Sequence, residues 1–105
     1  MHNIKLFEEK KVRTHWDAEK EQWYFSVIDV IEILTGSSNP RDYWFKMKMR
    51  VKTEDGLELS TICRQLKLKA SDGKMRTTDC ANTEGIFRII QSIPSPNAEP
   101  FKRWL

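Results

Sequence analysis

FKMKMRVK, residues 45–52, sets an apolar residue beside a basic one four times running. With period two it is a strand with one apolar and one cationic face. With period 3.6 it is a helix carrying its four cations along its edges. The residues just before it favour the helix. In SSNPRD, residues 37–42, Asn39 is a good N-cap and Asp42 complements the positive end of the helix dipole; Pro40 suits the first helical position, where its missing N–H would be unpaired anyway. On that helix Tyr43, Trp44, Met47 and Val51 share one arc, and Phe45 with Met49 lies on the opposite side. Lys46 with Arg50 and Lys48 with Lys52 form two basic i,i+4 rows between them. The strand reading stays open, because the alternation is perfect and the helical wheel is not.

Upstream, IKLFEEKKVRTHWD alternates loosely, with Ile4, Leu6, Val12 and Trp16 as its apolar members and a polar E-E-K-K turn between two extended pieces. AEKEQ separates them from WYFSV, rich in aromatic and β-branched residues, so the first 27 residues read as a small antiparallel meander. Ser26 is placed to cap a helix over VIDVIEILTG, where Val27, Val30, Ile31 and Leu34 recur at helical spacing and Gly36 supplies the stop.

Downstream, TEDGLE is a loop, and LSTICRQLKL is expected to be a short helix capped by Ser60 with Ile62, Cys63 and Leu66 inward. LKASDGKMRTTD carries a hairpin signature, a two-residue Asp72-Gly73 turn between arms bearing Lys67, Lys69, Lys74 and Arg76. Asn82 or Thr83 then starts a helix over EGIFRIIQSI, with Ile86, Phe87, Ile89 and Ile90 as core contacts and Pro94 enforcing the end. A last helical turn begins near Ser95-Pro96. It stops at Trp104-Leu105, an apolar pair that points to a chain continuing beyond this stretch. The architecture expected is β-β-β-α-α-α-β-β-α, a small single α+β domain over residues 1–105.

The chain has 105 residues, enough for one core. Its net charge of +3 hides an asymmetry: residues 40–76 hold ten Lys/Arg against five Asp/Glu, while the flanking thirds are neutral or slightly acidic. A basic segment in a neutral frame is the electrostatic footprint of a protein that meets phosphates, and equally of a solvated surface. No apolar run is long enough to span a membrane and none opens the chain as a signal peptide, so the expected location is the cytoplasm. Cys63 and Cys80 have no neighbouring Cys or His, and His2 and His15 sit apart from them near the N-terminus. Buried cysteines, surface histidines and no metal or other cofactor are therefore expected. Asp29 with Glu32 and His15 with Asp17 have no nucleophile, metal set or phosphate-cradling glycine loop beside them, which argues against an enzyme.

WYFSVIDVIEILTG, NPRDYW and TTDCANTEGIFRIIQSIPSPNAEPFKRWL, in this order, resemble the aromatic strand and first helix, second-helix start, and closing strand, helix and FKRW ending of the Bro-family N-terminal domain. That family is named for baculoviral Bro proteins and is common in prophage antirepressors. The stretch from Glu58 onward is also similar to a subgroup that includes DNA-damage-inducible protein D. The resemblance implies a duplex-DNA-binding module of a phage- or prophage-derived transcription regulator, joined to a variable C-terminal domain, with expression tied to DNA damage in that subgroup. LSTICRQLKLKASDGKM departs from many relatives, replacing a short loop by a cationic helix and hairpin.

On the DNA reading, Lys46, Lys48, Arg50 and Lys52 on the second helix and Lys67, Lys69, Lys74 and Arg76 on the hairpin contact phosphates, while Arg41, Arg64 and Gln65 reach base edges. The plainer readings are a solvated helix face, lysines guarding an edge strand, Arg88 paired with Glu84, and Trp16, Trp23, Trp44 and Phe45 as core. The alternative function is protein binding. A repressor, or a second copy of the chain, would cover an exposed Phe45/Met49 strip without direct DNA contact.

Overall fold

The computed structural model describes residues 2–7, 10–50 and 58–104. Strands β1 (His2–Phe7), β2 (Lys10–Asp17) and β3 (Gln22–Ser26) form the antiparallel meander, with Trp16 opposite Trp23 and their rings 5.3 Å apart. Helix α1 (Val27–Thr35) follows β3 without a loop and buries Val27, Val30, Ile31, Ile33 and Leu34. Ser26 stands at its N-cap but makes no capping bond; its hydroxyl accepts from Arg13 Nη2 at 3.1 Å instead. Gly36 closes the helix at φ +66°, a left-handed conformation that glycine adopts without steric penalty.

Helix α2 (Pro40–Arg50) settles the opening question for residues 45–50. Asn39 Oδ1 accepts the Asp42 N–H at 3.1 Å, the capping geometry expected. Trp44 and Met47 are buried, and Tyr43, placed on the same arc, is more than a third exposed. Phe45 is exposed rather than core, because the arc centred on Trp44 and Met47 is all that the rest of the fold covers. Val51 and Lys52 lie outside the described residues.

The third expected helix is a correction. Leu59–Ile62 is a single 3₁₀ turn, Ser60 lies within it rather than capping it, and Arg64–Lys69 is a strand, β4, paired antiparallel with β5 (Met75–Asn82). RQLKLK alternates with period two, and six cross-strand pairs with β5 outweigh a helix too short to hold itself. Ile62 and Cys63 pack on the main core while Leu66 joins a second cluster, so the three do not share one face. The turn also differs from expectation. Ala70 N–H bonds Lys74 O and Gly73 N–H bonds Ala70 O, leaving a three-residue Ser71-Asp72-Gly73 loop with Gly73 at φ +84°.

The five strands run in the order β1-β2-β3-β5-β4. One sheet face, with Val12, Phe25 and Ala81, packs on the helices; Tyr24, Leu68 and Cys80, with Leu66, form a small cluster on the other. Helix α3 (Thr83–Gln91) is capped by Asn82, whose side chain accepts the Gly85 N–H, and buries Ile86, Ile89 and Ile90. Full burial of each such side chain is worth about 1.5–3 kcal/mol. Helix α4 (Ala98–Trp104) inserts Phe101 into the core. Its entry is tied to the end of α1, because the Ser95 hydroxyl donates to Leu34 O and Asn97 Nδ2 to Ile33 O at 3.1 Å.

Candidate nucleic-acid interface

Helix α2 is fastened beside the β4–β5 hairpin by one carboxylate. Asp79 Oδ2, on β5, accepts from Trp44 Nε1 at 2.8 Å and from Lys48 Nζ at 2.9 Å, and Gln65 Nε2 of β4 reaches Oδ1 at 3.4 Å. Lys48 also lies 5.6 Å from the centre of the Trp44 ring. Burial pushes the Asp79 carboxyl up, but the hydrogen bonds from Lys48 and Trp44 outweigh it and hold the group below its ordinary 3.8. Asp17, bonded by Arg64 and by the Lys20 and Glu19 amides, is lowered as well.

These shifts fix the sign of a pH effect. The unfolded chain takes up protons at ordinary carboxylate pKa values and the folded chain only below them, so the stabilisation is complete above pH 3.8 and is lost as pH falls through the lower folded values. Urea midpoints measured from about pH 6 to about pH 3 should fall, and should fall less for Asp79→Asn. Equal losses in the two proteins would contradict this role for Asp79.

A second node ties the hairpin to the meander. Arg13 donates to Asp29 through Nε at 2.8 Å and Nη2 at 3.1 Å, to Ser26 through Nη2, and to Lys69 O through Nη1 at 3.2 Å. Its backbone N–H also reaches Asp29 Oδ2 at 2.9 Å. Arg64 pairs with Asp17 at 2.6 Å and stacks over Tyr24, 5.4 Å from the ring centre. Arg76 is held by Asp72 across the hairpin loop, and Lys46 by Asp42 at 3.1 Å on the surface of α2. Arg88 pairs with Glu84 at 3.6 Å.

Part of what the acids leave over lies together. Gln65, Lys67 and Lys69 alternate onto the β4 face that looks toward α2. Its Gln65 end meets Lys48 at Asp79, while at the other end Lys69 lines with Arg41 a groove of about 950 Å³. Lys67 stands between them. Lys11 of β2 lines the same groove, as do Asp29, already paired with Arg13, and Glu32. Lys11, Arg41, Lys67 and Lys69 are all exposed and make no ion pair with any described residue. Of the residues expected from sequence, Arg41, Gln65, Lys67 and Lys69 are thus brought onto one side with Lys48. Lys46 and Arg50 lie on the far flank of α2, and Arg64 and Arg76 on the opposite face of the hairpin. Lys74 projects from the hairpin loop, and Lys52 is outside the described residues. Lys11 was missed because nothing near it in sequence is part of the basic segment.

The model of the BRO family, N-terminal domain, matches residues 11–105. The chain belongs to the BRO family. Neither a curated protein nor a solved structure matches it. The BRO N-terminal domain is a regulatory, DNA-binding domain family and not a known enzyme family. Among the described residues of this BRO domain no three His, Cys, Asp or Glu side chains are placed to hold a metal ion, and no helix is long and apolar enough to cross a membrane. Burial raises both Cys63 and Cys80 to about 12, which leaves them as packed thiols rather than nucleophiles. His15 is half-buried in β2, not a surface residue as expected, because it sits in a central strand.

Proposed function

We propose that this domain binds duplex DNA through the side formed by α2 and the β4–β5 hairpin, as the DNA-contacting module of an antirepressor-type regulator of phage or prophage origin. The observation that carries the proposal is the sorting of the cations. Lys48, Arg64 and Arg76 are held by Asp79, Asp17 and Asp72, whereas Arg41, Lys67 and Lys69 have no acidic partner among the described residues and share one side; Arg50 and Lys74, equally without an acidic partner there, lie away from it. Unneutralised cations are the ones that displace counterions from a phosphate backbone. The likeness of the stretch after Glu58 to DNA-damage-inducible relatives adds regulation by DNA damage to this reading.

The test is a fluorescence-anisotropy titration of the protein against a random-sequence duplex of about 20 base pairs at low salt. Saturable binding, with a dissociation constant of about 10⁻⁴–10⁻⁶ M or tighter at physiological salt, is expected. No binding at low salt would overturn the proposal. A protein-partner reading has one observation in its favour, the exposure of Phe45 (58%) and Met49 (74%) on α2. An apolar contact of that kind changes little with salt, which separates the two.

A further inference from the structure

Two large apolar side chains on the outward face of a cationic helix call for an occupant that is itself both anionic and apolar. Arg41, Phe45 and Met49 are spaced i, i+4, i+8 and form one row along α2, with Lys48 beside it. Phe45 and Met49 are 58% and 74% exposed, while Trp44 and Met47 on the inner arc are nearly covered. The row begins at the groove that Arg41 shares with Lys69, so its polar end lies in the unpaired cationic surface. An apolar strip facing water in that position gains nothing from phosphates alone.

We propose that α2 lies in the major groove of duplex DNA and that Phe45 and Met49 contact the C5-methyl groups of thymine, making this row a determinant of A·T preference. The inference rests on the DNA-binding reading above. The major groove admits an α-helix, its walls are phosphates, and the thymine methyl is the one apolar group that a base pair presents on its floor. Charge complementarity selects this occupant. Asp42 is the only acid on α2 and it is bonded to Lys46, so an apolar partner without negative charge would bury Arg41 against nothing that could balance it.

The experiment compares two duplexes of alternating A·T sequence, equal in length, one with thymine and one with deoxyuridine in its place. Uracil lacks only the methyl group. Each buried methyl carries roughly fourfold in affinity, so the wild-type protein should bind the thymine duplex about four- to fifteenfold more tightly for one or two contacts. Phe45→Ser with Met49→Ser, whose fold is checked by circular dichroism, should bind both duplexes alike. Lys67→Gln with Lys69→Gln should bind both more weakly and keep the thymine preference. Equal wild-type affinity for the two duplexes would overturn the methyl contact and leave the DNA reading standing. A thymine preference that survives Phe45→Ser/Met49→Ser would overturn the assignment to this row. If the wild type binds neither duplex, the DNA reading itself fails. A self-association that disappears in the double serine variant, with no thymine preference, would give the strip to a second copy of the chain.

Discussion

Replacing Trp44 by alanine is expected to cost about 3–5 kcal/mol of folding stability, as loss of a fully packed large aromatic does. Trp44 is 3% exposed in the main core, and its indole N–H makes, with Lys48, one of the two bonds that draw α2 onto Asp79. The substitution therefore removes a buried ring and leaves part of the Asp79 carboxylate without its partner. Trp44→Phe keeps most of the packing and loses only the hydrogen bond to a charged group, so it should cost about 1.5–3 kcal/mol. Urea unfolding of the two variants and the wild type measures both. Because a domain of this size has roughly 5–15 kcal/mol in total, the alanine variant will be close to its limit. Wild-type stability in Trp44→Ala would mean that α2 does not dock through this residue, and the placement of the basic surface would fall with it.

Neutralising Arg41, Lys67 and Lys69 together to glutamine should weaken binding to duplex DNA by two to three orders of magnitude at about 0.1 M salt. Each phosphate contact contributes a slope of about 0.9 in log affinity against log salt, which over one decade below 1 M is roughly eightfold per contact. All three side chains are exposed and unpaired among the described residues, so the folded state gives up no ion pair. The melting temperature should move only by what about 0.5 kcal/mol allows. A loss of binding accompanied by a large loss of stability would instead mean that these cations hold the fold.

The helices were legible in the sequence where their ends are marked by residues that act locally. Asn39 with Pro40 fixed the start of α2 against a perfect two-residue alternation, Gly36 ended α1, and Asn82 opened α3. The failure at Arg64–Lys69 has the opposite origin. RQLKLK fits a short amphipathic helix as well as a strand, and the ladder with β5 that decides the matter is a tertiary fact. Phe45 was grouped with the tryptophans because burial depends on what covers a helix face, and nothing in FKMKMRVK says where the sheet lies.

The candidate site was half legible for the same reason. The concentration of Lys and Arg in residues 40–76 was visible, but which of them are spare was not. Lys48 and Asp79 are 31 residues apart, Arg64 and Asp17 are 47 apart, and Arg13 reaches Asp29 across 16. Those pairings exist because β3 neighbours β5 and α2 lies along the hairpin, an order that skips β4. Apart from Arg88, whose partner Glu84 lies one turn away, the sequence offered no way to tell a paired cation from a spare one, and the fold divides them into those that hold the domain together and those left facing solvent.

The most direct measurement of the central claim is the salt dependence of affinity for a random-sequence duplex, taken on the wild type and on the Arg41→Gln/Lys67→Gln/Lys69→Gln variant. A wild-type slope of about −3 or steeper, reduced by about 2.7 in the variant, is the result predicted when those three cations neutralise phosphates. Equal slopes in the two proteins, or a wild-type affinity that does not change with salt, would contradict it.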